Sequence, residues 1–410
     1  IRGIGAREYS SNNASTVGLY VDQVAHPYTI TTQGALFDIA RIEVLRGPQG
    51  TLYGRNTTGG AVNIITNAPT VDFTAGFTAE YGSYDRFELE GFVSGQIAPG
   101  LLGRLSAVTE QGGAWQYNRD TGEALGDRDK TALRGRLTWD VTDTLTADFA
   151  ATYAIDQSDG LGFRLRGPYT PTGGAGPTVP TDTEWRITGW QLSPALAAVS
   201  GRSVGDKPGR DNEGFDLSAR VTADLGWAEL TSVSAYQTFE RSEYNDWDGT
   251  RYFESDVFFY NDIEVLSQEF RLASTGDGPW DWMVGVHAAE ESNDGGFYTQ
   301  FRGLAGLINT PYQQDVSALG LFTHNSYAVN DRLSLILGLR YEYEERSLTT
   351  SGTTVAPAVP GPAITYDTDL SEFSGRVGLE YVLSDDALFY ASVARGVKSG
   401  GFTTYNATSA

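Results

Sequence analysis

The pattern of apolar and polar residues changes at about residue 70 of this chain. From there onward, apolar positions alternate with polar ones, as in the segment 73–81, where Phe73, Phe77 and Tyr81 share one face and Glu80 lies on the other. A period of two predicts β-strands with one apolar and one polar side. We count about thirteen such segments of about 10 residues, each spanning ~23 Å at a tilt of ~45°, the height of the apolar band of a membrane barrel. The clearest are 73–81, 87–97, 133–139, 145–155, 215–225, 333–343 and 373–383.

The connections between these segments alternate between tight turns and long polar stretches. Soluble β-sandwiches also alternate along their strands, but they have no reason to place every long loop at one end. We therefore predict a mainly β fold, a transmembrane antiparallel β-barrel. The tight turns fall at 99–100, 142–143, 225–226, 276–279, 330–331 and 384–386, and the long connections at about 116–130, 156–212, 240–262, 291–315 and 347–370. Aromatic residues near strand ends suit interfacial girdles, namely Tyr81, Trp139, Tyr153, Trp227, Trp282, Tyr341, Tyr343 and Tyr381.

Residues 1–69 differ from the rest and predict a small mixed α/β unit. Its most regular part is 41–66, RIEVLRGPQGTLYGRNTTGGAVNIIT, which predicts a strand, a loop with five glycines, and a second strand. A phosphate-binding loop would need a lysine after its last glycine, whereas Gly54 is followed by Arg55. The segment 67–69 ends the unit, because Pro69 cannot continue a β-ladder.

The segment 41–66 resembles the signature that closes the plug domain of TonB-dependent outer-membrane receptors. Other stretches resemble the same family in the same order: IRGIG at 1–5, VGLYVDQV at 17–24, SQEFRLAS at 267–274, RLSLILGLRYEYEE at 332–345 and LFYASVARGVKSGGF at 388–402. The resemblance implies that 1–69 is the C-terminal part of a plug inside the lumen and that 70–410 is the N-terminal part of the barrel. Such plugged barrels have about 22 strands, so we expect a fragment of a longer protein.

Composition and charge exclude several other classes. The formal net charge of −23 argues against nucleic-acid binding, which needs a basic face. The absence of cysteine excludes disulfides and thiolate metal sites, and the three scattered histidines have no metal-ligand spacing, so we expect no resident metal. Mean hydropathy is −0.29, without an apolar run long enough for a helical membrane span. We find no catalytic motif and expect a protein that is not an enzyme.

The resemblance implies active import of a scarce ligand across the outer membrane of a Gram-negative bacterium. The leading ligand is a ferric siderophore, with cobalamin, haem or an oligosaccharide as other candidates, and iron enters only as part of the transported chelate, not as a cofactor. The implied partners are outer-membrane lipid and a TonB-type energy-coupling protein, whose contact box lies outside these residues. Two alternatives remain at this stage: a passive porin-like channel, or a surface β-protein with hydrolase or adhesin activity.

Two groups of residues are candidates for the site. The resemblance implies that the plug faces the ligand with Arg2, Asp22, Gln23 and Phe37. The aromatic-rich loop 239–260 offers Tyr244, Trp247 and Tyr252 for planar or sugar-like ligands, or else these rings continue an interfacial girdle or pack the loop itself. The resemblance further implies that the plug arginines Arg41, Arg46 and Arg55 pair with lumen-facing Glu269, Glu342 and Glu344. A buried pair that can be broken is a means of releasing a plug, so replacing Glu269 with Gln is expected to change uptake.

Overall fold

The computed structural model describes residues 1, 3–5, 10–32, 36–171, 176–301, 306–351, 353–355, 358–360 and 362–404. Arg2, one of the candidate ligand-binding residues, lies outside the described residues. None of the helices in the described ranges has the length and apolar character needed to cross a membrane.

The N-terminal unit is a four-stranded sheet with the strand order β2-β1-β4-β3. Strands β1 and β4 are parallel, and the other two pairs are antiparallel. The strands are β1 (Val17–Val21), β2 (Val24–Ala25), β3 (Ile39–Arg46) and β4 (Gly60–Thr66), with a 3₁₀ turn at Thr29–Thr32 and helix α1 (Gly50–Tyr53) in the glycine-rich loop. The predicted strand–loop–strand at 41–66 is therefore β3, α1 and β4.

The rest of the chain forms one large antiparallel sheet that curves around this unit. Thirteen strands follow one another in sequence order along its main path in the described residues, which confirms the predicted strand number and the mainly β fold. The sheet is not closed, because its edge strands, the first and the last, do not pair with each other in the described residues. The thirteen are β5 (Thr74–Tyr81), β6 (Phe87–Ala98), β7 (Leu101–Gly112), β10 (Arg128–Thr142), β11 (Leu145–Asp156), β14 (Asn212–Asp224), β15 (Ala228–Asp246), β16 (Ser255–Ser274), β17 (Trp280–Phe301), β18 (Ile308–Asn330), β19 (Leu333–Thr350), β22 (Ile364–Ser384) and β23 (Ala387–Arg395).

The six predicted tight turns all join neighbouring strands at one end of the sheet, here named the tight-turn end; the opposite end is the long-loop end. The predicted long connections were too long, however, because β15 to β18 extend to 19, 20, 22 and 23 residues. About 10 residues suffice to cross an apolar band, so the half of each strand nearest the long-loop end projects beyond it. Those halves need no apolar outer face, and their sequence therefore lacks the alternation that predicts a strand.

The two faces of the curved sheet differ in chemistry. The convex face carries apolar side chains that have no cover in the protein, such as Phe77, Leu137, Leu321 and Val377. The concave face carries charged side chains that are buried against the N-terminal unit, such as Arg104. This arrangement is the inside-out distribution of a membrane barrel.

The connection between β11 and β14 folds over the long-loop end. It holds helix α2 (Pro194–Ser200), whose N-cap Ser193 accepts a hydrogen bond from the Leu196 N–H. Leu192 and Leu196 pack with Tyr244 and Phe258, on the extended parts of β15 and β16, in a small core. The remaining short elements are β8 (Gln116–Asn118), β9 (Ala124–Leu125), β12 (Ile187–Thr188), β13 (Gly209–Arg210), β20 (Thr353–Val355), β21 (Ala358–Pro360) and a 3₁₀ turn at Ser83–Asp85.

Gly60, at the start of β4, is required by the geometry of the N-terminal unit. Its φ is +142°, and a Cβ there would lie 2.2 Å from the Leu45 carbonyl oxygen. Gly60→Ala is therefore expected to destabilise this unit by about 3 kcal/mol or more. Gly59→Ala is the matched control, because Gly59 has no positive φ and its Cβ would meet the Ile4 side chain at 3.0 Å and the Thr16 carbonyl oxygen at 3.3 Å, so it should cost less, about 1 kcal/mol. Urea unfolding, monitored by protease sensitivity, measures the stability of both variants. Equal unfolding midpoints for the two variants would contradict the special role of Gly60.

Candidate functional site

Arg55 joins the N-terminal unit to the concave face of the sheet. It follows α1 and Gly54, and its side chain is only 10% exposed. The guanidinium contacts two buried carboxylates on different strands: Nη2 pairs with Glu291 on β17, and Nη1 lies 2.8 Å from Glu344 Oε2 on β19. Glu344 also pairs with Arg346 at 3.0 Å. These four residues, here named the Arg55 cluster, carry two positive and two negative charges, and such balance is what buried charges need.

The backbone beside Arg55 is shaped to fit the wall. Gly54 has φ +74°, and a Cβ on it would lie 2.9 Å from Nη2 of Arg340. Arg340 in turn pairs with Glu342 on its own strand. Tyr20 donates a hydrogen bond to the Tyr53 carbonyl, which fixes α1 to the sheet of the N-terminal unit. Burial raises the pKa of Tyr20 well above its ordinary value, so this phenol stays neutral.

The sequence prediction was right about the contact between Arg55 and Glu344 and wrong about the other proposed pairs. Arg41 pairs with Glu43 of its own strand at 2.7 Å, with both side chains exposed. Arg46 is also exposed, because β3 is the edge strand of its sheet and these two arginines lie away from the wall. Glu342 is held by Arg340, as described above. Glu269 pairs with Arg271 of its own strand at 3.0 Å. Release of the plug is therefore tested by substituting Glu344 instead of Glu269.

A second buried ion pair joins the N-terminal unit to the wall, and sequence reasoning did not find it. Arg104 on β7 contacts Asp38 through both guanidinium ends, with Nε 2.7 Å from Asp38 Oδ2. The Asn67 amide donates a further hydrogen bond to Asp38 at 2.8 Å. Burial alone would raise the pKa of Asp38, but the hydrogen bonds from Arg104 and Asn67 hold it below its ordinary value. The sequence feature that could have indicated this pair is the position of Arg104 on the polar face of an alternating strand.

Three candidate ligand-binding residues of the N-terminal unit contact the wall rather than the long-loop end. Asp22 accepts hydrogen bonds from the Thr66 N–H and hydroxyl of its own unit at 3.0 and 2.5 Å, and its Oδ2 lies 3.7 Å from Arg136 Nη1 on β10 of the wall. Gln23 accepts a hydrogen bond from Arg271, three residues before the tight-turn end of β16. Phe37 is buried beneath the Arg134 guanidinium, which lies 4.2 Å from its ring centre. The structure therefore places these residues in contacts between the two units, and their role toward a ligand stays a prediction.

The segment 10–13 is the part of the N-terminal unit that meets the long-loop half of the wall. Its contacts are uncharged: Ser11 lies 2.7 Å from the Tyr312 hydroxyl and donates to the Asn261 side chain at 3.0 Å. Asn12 accepts from the Gln314 amide at 2.8 Å through its carbonyl. A layer of amides and hydroxyls can exchange hydrogen bonds with a polar ligand at little cost, because each group both donates and accepts.

An aromatic cluster lies above this layer on the extended strands. Trp247, Phe259, Phe297 and Phe301 pack with ring centres 6.0 to 6.2 Å apart. Phe259 and Phe297 occupy the alternate positions of β16 and β17 that face the concave side. The Arg241 guanidinium lies 4.5 Å from the Phe259 ring centre and pairs with Glu243 at 2.6 Å. Phe259 and Phe297 are buried, whereas Trp247 and Phe301 are half-buried, and partly exposed aromatic faces suit a planar ligand.

Only one of the three candidate aromatics of the loop 239–260 belongs to this cluster, namely Trp247. Tyr244 is 1% exposed and packs in the small core with Leu192 and Leu196, on the opposite face of the strand. Tyr252 donates a hydrogen bond to the Pro177 carbonyl at 2.9 Å. Tyr244 and Tyr252 therefore contact the connection between β11 and β14, and their role toward a ligand stays a prediction.

A polar cavity of about 90 Å³ lies between the N-terminal unit and the wall. Tyr20, His26, Arg55, Glu269 and Arg340 are among its lining residues. Burial lowers the pKa of His26, although Asp216 opposes this shift, so the imidazole is held neutral at the interface. This volume has room for water molecules beside the polar groups of the lining. Water beside the Arg55 cluster would solvate its charges when the ion pairs separate.

Comparison with known proteins identifies both units of the fold. The family model of the TonB dependent receptor-like β-barrel matches residues 166–410, more than half of the chain, and that of the TonB-dependent receptor plug domain matches residues 1–61. The pesticin receptor of Yersinia pestis is 26% identical over 408 residues, which is 98% of this chain and 55% of that protein. The ferric aerobactin receptor of Klebsiella pneumoniae is 24% identical over 402 residues, 88% of this chain and 51% of that protein.

Solved structures show the same architecture. The ferric yersiniabactin uptake receptor of Yersinia pestis superposes with a TM-score of 0.79 at 21% sequence identity, over 98% of this chain and 59% of that structure. This likeness establishes the fold. The chain spans about half the length of the curated relatives that it matches.

Proposed function

Since this chain belongs to the family of TonB-dependent receptors, we propose that the whole protein is an outer-membrane importer that captures a ferric siderophore and takes it up with energy delivered through a TonB-type partner. The observation that carries this proposal is the Arg55 cluster, by which the plug is seated inside the curved sheet through charges that can separate. The family consists of receptors, and the uncovered apolar face of the sheet supports outer-membrane lipid as its solvent.

The seated plug favours active import over the passive porin-like channel. Ion pairs at separate places hold it, among them those of Arg55, the pair of Asp38 with Arg104 and the pair of Asp22 with Arg136. An open channel has no use for a folded unit fixed in its lumen by buried charges. In the proposed mechanism the ligand binds at the long-loop end, and a pull on the plug separates Arg55 from Glu291 and Glu344. Water from the adjoining cavity then replaces the lost partners.

Two observations support a ferric siderophore as the ligand. The relatives of known name include a ferric aerobactin receptor, and the similar solved structures include a ferric yersiniabactin uptake receptor. The half-buried rings of Trp247 and Phe301 offer flat apolar faces to a chelate with planar groups. Haem shares this feature, so the relatives carry the preference for a siderophore.

Binding of ferric siderophores to the purified full-length protein tests this proposal. Quenching of tryptophan fluorescence by a panel of ferric catecholate, hydroxamate and mixed siderophores should reveal saturable binding, and haem and cobalamin serve as comparison ligands. Trp247→Ala is expected to weaken binding by about tenfold or more, the effect of losing a central aromatic contact. Trp185→Ala is the matched control, because that ring is 55% exposed and stacks on Trp115, away from the aromatic cluster. Saturable binding of haem or cobalamin but of no siderophore would overturn the ligand assignment.

A further inference from the structure

We propose that Asp246, Asp248 and Asp256 form a binding site for one Ca²⁺ ion that holds the loops together at the long-loop end. The three residues lie at the turn between β15 and β16, and one carboxylate oxygen from each lies within 4.8 Å of one from each of the others. Asp246 and Asp256 are buried, at 2% and 0% exposure. Carboxylate oxygens converging from one turn are the donor set that Ca²⁺ prefers.

The hydrogen bonds of the three carboxylates are unequal. Asp246 accepts main-chain N–H groups through both oxygens, at 2.8 and 3.2 Å. Asp248 accepts three main-chain N–H groups and a threonine hydroxyl. Asp256 Oδ1 has a long hydrogen bond of 3.4 Å from the Tyr244 hydroxyl, and the Ser193 main-chain N–H also interacts with the Asp256 carboxylate. Asp256 Oδ2 makes no hydrogen bond of normal geometry in the described residues. A fully buried carboxylate oxygen without such a bond beside two further carboxylates indicates a missing positive partner.

No side-chain cation fills this role. In the part of the chain that the structure describes, none of the three aspartates forms an ion pair with a lysine or arginine, although Arg119 nearby pairs with Asp182 at 3.0 Å. Three negative charges this close and this buried cannot all remain ionised without compensation. A divalent cation compensates two of them, and waters would complete a coordination of six to eight oxygens.

The alternative source of compensation is a proton. Burial raises the pKa of Asp256 to about 8, and the charge of Asp248 adds to the shift. A protonated Asp256 has, however, only one O–H group, which can donate to one neighbouring oxygen. The negative charges of Asp246 and Asp248 would remain uncompensated. The experiment below separates the two cases, because only the cation case responds to Ca²⁺ and chelator.

The position of the site gives Ca²⁺ a structural role. Asp246 Oδ2 accepts from the Gln191 N–H, so the aspartate cluster contacts the connection that precedes α2 as well as its own turn. Tyr244 and Phe258, two residues away on each strand, pack against Leu192 and Leu196 of that connection. Ca²⁺ would therefore fix the connection 157–211 against the extended hairpin of β15 and β16. This inference concerns the loops and is independent of which ligand the receptor takes up.

The test uses the full-length receptor in detergent at neutral pH, after removal of metals with EDTA. Terbium(III), a luminescent substitute for Ca²⁺, should bind with emission sensitised by Trp247, and Ca²⁺ should displace it. Ca²⁺ should also slow protease cleavage within 157–211. Asp256→Asn is expected to weaken Ca²⁺ binding by about tenfold or more, since it removes one of three charged ligands. Asp262→Asn, an exposed aspartate six residues along β16, should leave binding unchanged.

A comparison with and without Ca²⁺ makes the outcome decisive. In EDTA, Asp256→Asn should be at least as resistant to protease as the wild type, because it removes an uncompensated buried charge; in Ca²⁺ the order should reverse. Wild-type protein that shows no terbium signal and equal cleavage in Ca²⁺ and EDTA would overturn the proposal. An equal response of Asp256→Asn and wild type to Ca²⁺ would overturn it as well. If Asp256→Asn does not fold, the wild-type measurements alone decide between these results.

Discussion

Joining the plug to the barrel wall by a disulfide is expected to abolish uptake and to leave ligand binding intact. Thr51 lies on α1 of the plug, and a Cβ placed on Gly338 of β19 would be 3.1 Å from the Thr51 Cβ. Disulfides have Cβ–Cβ distances of about 3.5–4.5 Å, so Thr51→Cys with Gly338→Cys needs a shift of only a few tenths of an ångström. The chain has no cysteine of its own, so the introduced pair has no competitor in these residues.

The expected loss follows from the position of the bond. Thr51 is four residues from Arg55, and a covalent bond there prevents Arg55 from leaving Glu291 and Glu344. Uptake in whole cells should stop when the double variant is oxidised and return when a reductant is added. Each single-cysteine variant is the control and should take up ligand under both conditions. Normal uptake by the oxidised double variant would show that the segment around Arg55 stays in place during transport.

Arg55→Met is expected to weaken the attachment of the plug to the wall, and this is the second-largest effect that we predict. The substitution leaves Glu291 and Glu344 buried with only Arg346 to balance them, and breaking a buried ion pair on one side costs about 3–5 kcal/mol. Arg55→Lys keeps the charge but not the planar fork that reaches two carboxylates, so it should fall between the wild type and Arg55→Met. Glu344→Gln should also loosen the plug, since it removes one of the two carboxylates that Arg55 contacts.

Arg41→Met is the matched control for Arg55→Met, because both are plug arginines that pair with glutamate. The pair of Arg41 with Glu43 is exposed, and such pairs contribute about 0–1 kcal/mol. Outer-membrane permeability to a large antibiotic, together with protease sensitivity of the plug, should therefore rise in Arg55→Met and stay unchanged in Arg41→Met. Equal behaviour of the two variants would mean that the Arg55 cluster does not hold the plug.

Alternation was sufficient to predict the strands, and the alternation of tight turns with long connections was needed to predict a barrel. The outer face must be apolar wherever it meets the membrane, so segments such as 333–343 show their period directly. The same constraint ends where the strand leaves the membrane. The long-loop halves of β15 to β18 were consequently assigned to loops.

The sequence predicted that plug arginines pair with glutamates of the wall, but not which residues form the pairs. The sequence offers Arg41, Arg46 and Arg55 on equal terms, and the choice among them depends on which edge of the plug sheet meets the wall. Asp38 and Arg104 lie 66 residues apart in the sequence and meet only through the curvature of the barrel. Tyr244 and Trp247 show the same limit, because they are three positions apart in sequence and their rings lie on opposite faces of the hairpin.

The aspartate cluster was missed for a different reason. The search for metal ligands began from histidine and cysteine spacing, and in a chain with a formal net charge of −23 single aspartates carry little information. Asp246 and Asp248 are neighbours in sequence, but Asp256 joins them only through the register of β15 and β16, which pairs it with Asp246.

Uptake of radioactive iron from a ferric siderophore tests the central claim most directly. The full-length gene is expressed in cells that lack their own siderophore receptors, with TonB present or deleted. We predict uptake that requires the receptor, stops when TonB is deleted, and stops equally when the proton gradient is collapsed. Uptake at the same rate without TonB would indicate a passive channel and contradict the account, and so would the absence of uptake for every ferric siderophore tested.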